Sequence, residues 1–111
     1  MEITTKEFKH CQLLSVEGRV DSATAPAFGE KLDSLIAAGV VKMVVDMEKL
    51  EYMSSAGFRA LLAAQRQCKR YGRGEVLLAS VPERIREALE LAGFTELFRV
   101  FPDSLEAVGS F

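Results

Sequence analysis

The chain has 111 residues, 49% of them hydrophobic and 27% charged, with a formal net charge of −2; this fits one globular domain that folds without a disulfide or a structural metal. The near-neutral charge argues against a nucleic-acid-binding protein, because such proteins carry a clustered excess of Lys and Arg. A single His, two Cys and no Trp argue against most acid–base, triad and zinc chemistry, so we expect neither an enzyme nor a bound metal or cofactor.

The two cysteines, Cys11 and Cys68, lie among residues that we expect in the core, so the sequence predicts free thiols and not a disulfide framework. The first residues lack the apolar stretch of a secretion signal. No apolar run approaches the roughly 18 residues that a membrane span needs. We therefore expect residues 1–111 to form one cytoplasmic domain with no membrane insertion.

The first half of the chain predicts a hairpin, a helix and a buried strand. Residues 3–8 and 12–18 are expected to be antiparallel strands, because the gap between them is short enough for a hairpin turn, which would contain His10. A helix with Thr24 as its N-cap should follow. Its apolar stripe consists of Phe28, Leu32, Leu35 and Ile36. The nearly all-apolar residues 40–45 are typical of a central strand covered on both faces.

The second half of the chain also predicts strands alternating with helices. We expect a loop over residues 46–53, a helix from Ser54-Ser55 to about residue 71, and a strand over residues 75–79. A capping box of Ser80 and Glu83 predicts the start of the next helix. That helix should bury one face, made of Ile85, Ala88, Leu89 and Ala92. Residues 97–101 are expected to form the last strand, and a second capping box, Asp103 with Glu106, a short final helix.

Strands separated by helices of this length indicate right-handed crossovers and parallel pairing. The sequence therefore predicts an α/β fold: a mixed, mostly parallel sheet of four to five strands, with an N-terminal antiparallel strand and about four helices. Binding sites of such folds lie where strands end and helices begin. Two of these junctions carry polar side chains, at Asp21 and at Ser54-Ser55.

No motif of an enzyme accounts for the serine pair. The chain has neither a Walker A sequence nor G-x-G-x-x-G. Ser55 lacks the first glycine of a nucleophile elbow, and the single candidate base, His10, precedes it in the chain, whereas the elbow fold places its His afterwards. A serine at a helix N-terminus is by itself most simply an N-cap. The same position also suits a phosphate, because its negative charge lies at the positive end of the helix dipole.

The segment Leu50-Glu51-Tyr52-Met53-Ser54-Ser55-Ala56-Gly57-Phe58-Arg59 closely resembles the phosphorylation segment of the STAS-domain anti-sigma-factor antagonists. Gly18-Arg19-Val20-Asp21 resembles the first loop of that family. Val44-Val45-Asp46-Met47 resembles the end of its central strand. Gly93-Phe94 and Leu97-Phe98 resemble the end of its third helix and its last strand, so the resemblance extends over nearly the whole chain.

The resemblance implies the STAS fold and a function in partner switching. An unphosphorylated antagonist binds an anti-sigma factor that is also a serine kinase with a GHKL-type ATP site. The kinase phosphorylates the antagonist and releases it, and a PP2C-type phosphatase removes the phosphate. By position the acceptor is Ser55. Ser54 stands where many members have Asp, which makes it a second candidate acceptor.

The resemblance also implies a partner-binding surface made of Asp21, Ser54, Ser55, Gly57 and Phe58. From the residues alone, Asp21 is equally well a turn-capping aspartate. Phe58 is more simply a core residue, with partial exposure as a docking residue the alternative. We expect a monomer or a weak dimer.

One alternative function stays open. The domain could instead be a regulatory subunit of a transporter or signalling complex that is never phosphorylated.

The second predicted helix ends in a basic group, which we interpret as a solvated face balanced by Glu75. Its members are Arg66, Lys69, Arg70 and Arg73.

Overall fold

Six strands and four helices make up the chain, and the computed structural model describes all 111 residues. The strands are β1 (Glu2–Glu7), β2 (Gln12–Val20), β3 (Lys42–Asp46), β4 (Leu50–Met53), β5 (Glu75–Ala79) and β6 (Val100–Phe101). The helices are α1 (Ala25–Ala37), α2 (Ser55–Lys69), α3 (Glu83–Leu91) and α4 (Ser104–Gly109). None of these helices is both long enough and apolar enough to span a lipid bilayer.

All six strands belong to one mixed sheet. β1 and β2 form the predicted antiparallel hairpin, and β2, β3, β5 and β6 follow one another in parallel. β4 pairs in parallel with the end of β2, beyond the residues of β2 that pair with β3. The predicted α/β class, with its antiparallel first strand and four helices, is confirmed.

The two faces of the sheet carry cores of unequal size. A cluster of 21 buried residues joins one face to α1, α2 and α3. A smaller cluster, centred on Val44, Leu77 and Ala107, joins the other face to α4. β3 and β5 contribute side chains to both clusters, which confirms the predicted central strand covered on both sides. It spans Lys42–Asp46 and not residues 40–45, so Val40 and Val41 precede it.

Both cysteines are free and buried. Burial raises the pKa of the Cys68 thiol to about 11. Burial also raises the pKa of Cys11, although the nearby charge of Lys42 acts in the opposite direction. A thiol that must lose its proton in an apolar environment is a poor nucleophile. Both side chains therefore act as small apolar groups of the core.

One buried amide connects α2 to the far half of the sheet. The Gln65 side chain is 3% exposed. Its Oε1 accepts a hydrogen bond from Val76 N at 2.7 Å, and its Nε2 donates to Val76 O at 3.0 Å and to Leu97 O at 2.9 Å. The two main-chain groups of Val76 would otherwise be buried without this partner, so the side chain fixes α2 against β5 and, through Leu97, against the segment before β6.

The prediction of a loop over residues 46–53 is wrong in its second half, where β4 forms. β4 has only four residues, and its two central side chains, Glu51 and Tyr52, are exposed. So short a strand, half of it polar, lacks the apolar run by which buried strands are recognised. β2 also continues past the predicted end at Gly18 and reaches Val20, because its last three residues pair with β4.

The predicted capping box at Ser80 is wrong. The N-cap of α3 is Pro82, and the Ser80 side chain points instead toward the carbonyl of Pro102, 3.5 Å away. Ser80 has a φ of 54°, which turns the chain out of the end of β5 before the helix begins. The second capping box is confirmed at its N-cap, since Asp103 accepts a hydrogen bond from Glu106 N at 2.8 Å.

Two smaller expectations about the end of the chain also need correction. Ala92, expected on the buried face of the third helix, is exposed because α3 ends at Leu91. The last strand is only Val100–Phe101 and not residues 97–101.

One ion pair connects β5 to the residue before β6. The Arg99 guanidinium donates two hydrogen bonds to the Glu75 carboxylate, at 2.9 and 3.1 Å.

Replacing Gln65 tests whether the buried amide is essential for stability. Gln65→Leu keeps the apolar bulk but leaves the buried N–H and carbonyl of Val76 without this partner, so we expect the free energy of unfolding to fall by about 2–3 kcal/mol. Urea denaturation followed by circular dichroism measures it. Gln67→Leu on the same helix is the control, because the Gln67 amide contacts only Asp33, at 3.3 Å on the surface. Equal effects of the two substitutions would contradict this assignment.

Candidate functional site

The pairing of β2 with β4 brings the two polar junctions together. Val20 and Met53 are partners in this parallel pair. The next residue after Met53, Ser54, donates its backbone N–H to Val20 O at 2.7 Å. Asp21 and Ser54 therefore follow directly on two paired strand ends, and α1 and α2 both begin at this edge of the sheet. The loop predicted for residues 46–53 gave no reason to expect that contact.

The two serines of the junction have different surroundings. Ser54 is the N-cap of α2, and its Oγ accepts a hydrogen bond from Gly57 N at 3.3 Å. Ser54 is half-buried, whereas Ser55, the first residue of the helix, is exposed. The Ser55 hydroxyl takes no part in the hydrogen bonds of the junction. Of the two hydroxyls, that of Ser55 is the one open to a reagent from solution.

Gly57 lets the first turn of α2 lie directly on the strand ends. A Cβ at this position would be 2.7 Å from Met53 Cγ and 2.9 Å from Val20 Cγ1, closer than carbon atoms approach in proteins. Any side chain here would push the helix, and with it Ser55, away from β2 and β4. Gly57 is itself buried, so its contribution to the site is the position of the helix.

Phe58 lies beneath the site and not on it. Its ring is 6% exposed and packs edge-to-face against Phe94, with 5.9 Å between ring centroids. The alternative of a partly exposed docking residue is therefore wrong, and the core interpretation holds. Phe58 fixes the first turn of α2 against the segment after α3, which supports the surface from below.

The carboxylate of Asp21 organises its own loop. Asp21 Oδ1 accepts hydrogen bonds from the backbone N–H groups of Ala23 and Thr24, both at 3.0 Å. In return the Thr24 hydroxyl accepts from Asp21 N and donates to Arg19 O, each at 2.9 Å. The same hydroxyl also lies 3.1 Å from Asp21 Oδ1, so its proton is shared between that carboxylate and Arg19 O. Hydrogen bonds to the carboxylate from the Thr24 backbone and side chain lower the pKa of Asp21 below its usual value. Thr24 is the N-cap of α1, as predicted, but its side chain makes no capping hydrogen bond to the helix.

The structure adds residues that sequence analysis did not select. The Arg19 guanidinium lies over the ring of Tyr52, its partner across the β2–β4 pair, at 4.5 Å from the centroid. Tyr52 is 41% exposed. It also lines a groove of about 300 Å³ between β4 and α3. The other lining residues are Glu51, Met53, Arg84, Ile85 and Ala88. Recognising β4 in the sequence would have placed Tyr52 next to Arg19.

The single imidazole of the chain lies far from the serines. His10 is in the hairpin before β2, and the serine junction is beside the last residue of β2. The nine residues of that strand separate the two by roughly 30 Å at about 3.3 Å per residue. Ser55 therefore has no neighbouring histidine to act as a general base.

Comparison with known proteins agrees with this architecture. The model of the STAS domain family matches residues 2–107. The chain belongs to the STAS domain family. A relative in Bordetella bronchiseptica, the candidate anti-sigma factor antagonist BtrV, is 29% identical over 111 residues, covering all of this chain and 95% of BtrV.

Solved STAS structures share the fold. A candidate anti-sigma factor antagonist from Thermotoga maritima superimposes with a TM-score of 0.90 at 16% identity, over 97% of this chain and 92% of the other. The anti-sigma factor antagonist SpoIIAA in its unphosphorylated form gives a TM-score of 0.85, also at 16% identity, over 98% and 95% of the two chains. The STAS fold expected from the sequence is confirmed.

Adding one methyl group at Gly57 tests the close approach of α2 in this STAS domain. Gly57→Ala should lower the free energy of unfolding by about 1–3 kcal/mol, because the new Cβ overlaps Met53 and the stiff side chain of Val20. Gly29→Ala in α1 is the matched control, since its Cβ would meet only Ala60, at 3.6 Å. Alanine there should leave stability unchanged or raise it by up to about 1 kcal/mol. A Gly57→Ala protein as stable as Gly29→Ala would rule out the overlap.

The turn at Asp21 has a titration signature. We expect the carboxyl pKa of Asp21, followed by NMR, to lie below the usual value of about 3.9. Thr24→Val removes the hydroxyl and should move it back toward that value. Because the native pKa is lowered, ionised Asp21 stabilises the fold above the unfolded-state pKa, and this contribution is lost as pH falls through the native pKa. An unchanged pKa in Thr24→Val would show that the hydroxyl has no influence on the carboxylate.

Proposed function

We propose that the protein is an anti-sigma factor antagonist of a partner-switching system. Its unphosphorylated form binds an anti-sigma factor that is also a GHKL-type serine kinase, and phosphorylation of Ser55 releases it. A PP2C-type phosphatase restores the binding form. The observation that carries the proposal is the exposed, unbonded hydroxyl of Ser55 at the start of α2, in a chain whose relatives are named anti-sigma factor antagonists.

Local geometry favours Ser55 over Ser54 as the acceptor. A kinase must reach the acceptor oxygen and take its proton, and Ser55 meets that need without any local unfolding. The Ser54 oxygen receives the N–H of Gly57, and phosphorylating it would disturb the cap and the contact with Val20. Loss of a serine N-cap costs about 1 kcal/mol of helix stability.

A phosphate on Ser55 is compatible with the fold. The first turn of α2 contains no acidic residue, so the new charge meets the positive end of the helix without repulsion from that turn. Such an interaction is worth about 0.3–1 kcal/mol. The phosphorylated domain is therefore expected to keep its structure and to present a changed surface.

Like-charge repulsion accounts for release. The kinase brings the phosphates of its nucleotide close to the acceptor hydroxyl, and Asp21 already adds a carboxylate at the neighbouring junction. A phosphate contributes about −1.5 to −2 charges, and opposed like charges at an interface cost several kcal/mol. Asp21, Ser54 and Ser55 form the proposed contact surface, and Gly57 and Phe58 hold it in position.

Acceptor mapping and binding together test the proposal. A kinase recovered from the source organism by capture on the protein is incubated with ATP and wild type, Ser54→Ala or Ser55→Ala. Phosphate should appear on wild type and Ser54→Ala and be absent from Ser55→Ala. Both serines lie in the tryptic peptide 50–59, so fragmentation of that peptide is needed to separate them.

The binding measurement uses the same variants without phosphorylation. Ser55→Ala should bind the kinase as wild type does, and Ser55→Glu should bind at least tenfold more weakly, a loss of about 1.4 kcal/mol or more. Phosphate found solely on Ser54 would refute the acceptor assignment. Tight binding of Ser55→Glu together with no phosphate in cells would instead support the constitutive regulatory subunit.

A further inference from the structure

The segment from Ser55 to Arg73 is the basic part of an acidic protein. It contains five Lys and Arg residues and no Asp or Glu, whereas the remaining residues hold nine basic and sixteen acidic side chains. A net charge of −2 therefore conceals a strongly asymmetric distribution. Segregation of this kind creates a local positive potential on an otherwise negative surface.

The cations of α2 lie on one face, and Ser55 lies on the same face. At about 100° per residue, four of them fall within about 60° of Ser55 around the helix axis. We call these four residues the basic stripe: Arg59, Arg66, Lys69 and Arg70. All four are exposed, and the stripe extends roughly 22 Å from the acceptor serine at about 1.5 Å per residue.

The basic stripe is not neutralised within the domain. Glu75, the acid expected to balance it, pairs instead with Arg99, the residue before β6, at 2.9 Å. Asp33, which faces α2 from α1, contacts the Gln67 amide and none of the stripe residues. The pair between Arg99 and Glu75 is the only salt bridge in the structure. Glu75 therefore does not balance the charge of this face, as the sequence interpretation required.

We propose that the basic stripe is a docking surface for a protein partner that presents acidic side chains along α2. The argument is charge complementarity confined to one helix face. A DNA strand or a membrane surface would extend past the stripe and meet the acidic remainder of the domain, whereas an acidic segment of a protein can be limited to it. Exposed Ala63 lies about 80° from Ser55 around the helix axis, beside the stripe, and its small side chain leaves room for a partner at that edge.

The basic stripe predicts that the partner in the proposed function carries acidic side chains where it meets α2. This link rests on the proposed function, in which Ser55 is the acceptor. A phosphate on Ser55 would lie one helical turn from Arg59, on the same face. It would pair with that guanidinium and repel an acidic partner at the end of the stripe. A single modification then weakens an interface much larger than the modified residue.

The first test measures association with the kinase recovered above. Arg59→Glu/Arg66→Glu/Arg70→Glu should lower the association rate constant roughly tenfold or more, and wild-type association should slow steeply as salt is added. Lys6→Glu/Lys9→Glu/Lys49→Glu, with the same change in net charge outside α2, should stay within about twofold of wild type. If the Glu substitutions near the helix C-terminus impair folding, Arg59→Gln/Arg66→Gln/Arg70→Gln is used instead, and it should also slow association.

A second test does not depend on phosphorylation. Binding of fluorescein-labelled poly-L-glutamate is compared with binding of a single-stranded oligonucleotide and of phosphatidylserine vesicles, with NMR shifts locating the contact. The stripe should bind polyglutamate, and the stripe variants should lose that binding while the control variant retains it. Equal binding by stripe and control variants, or tighter binding of the oligonucleotide or vesicles at near-physiological ionic strength, would overturn the docking surface.

The two tests separate the inference from the proposed function. Phosphate on Ser55 with kinase association unaffected by the stripe variants overturns the docking surface and leaves the proposed function intact. If no kinase phosphorylates Ser55, but polyglutamate binds at α2 and the stripe variants lose that binding, the docking surface stands and the proposed function is refuted.

Discussion

The close contact between the first turn of α2 and the ends of β2 and β4 is the constraint on which the site depends. A hydrogen bond from Ser54 N to Val20 O, and the missing side chain of Gly57, hold the helix directly on the strands. The polar groups of the proposed contact surface are positioned from there. The free Ser55 hydroxyl, the Asp21 turn and the start of the basic stripe all lie beside this one contact.

The same contact suits the proposed function, which asks little chemistry of the protein. If Ser55 is the acceptor as proposed, its hydroxyl must be presented and not activated, and presentation depends on packing. Gln65 and Phe58 hold α2 from its buried side, through three hydrogen bonds and an aromatic contact respectively. A rigid helix with an exposed polar face suits a protein whose state is changed by a single charge, because the charge changes the surface and leaves the fold intact.

Much of the fold could be predicted because the spacing of apolar residues and the helix-capping residues indicate the elements directly. The apolar stripe of α1, the two-sided burial of β3 and the cap at Asp103 each depend on residues close together in sequence. The misses depend on distant partners. β4 is a strand only because β2 extends to meet it, and Ser80 is held away from the capping position by Phe101 and Pro102, whose carbonyls accept from its backbone and side chain. The resemblance identified Ser55 and Asp21, yet what brings their loops together is a pairing that local patterns do not contain.

The buried thiols carry a practical consequence for anyone who labels this domain. With a pKa of about 11 for Cys68, only about one molecule in ten thousand carries that thiolate at neutral pH, and the burial of both cysteine side chains limits the access of reagents. An engineered surface cysteine with an ordinary pKa would react with maleimides far faster than either native residue. Fluorophores or spin labels could thus be attached at chosen sites in the natural sequence background, without first removing Cys11 or Cys68.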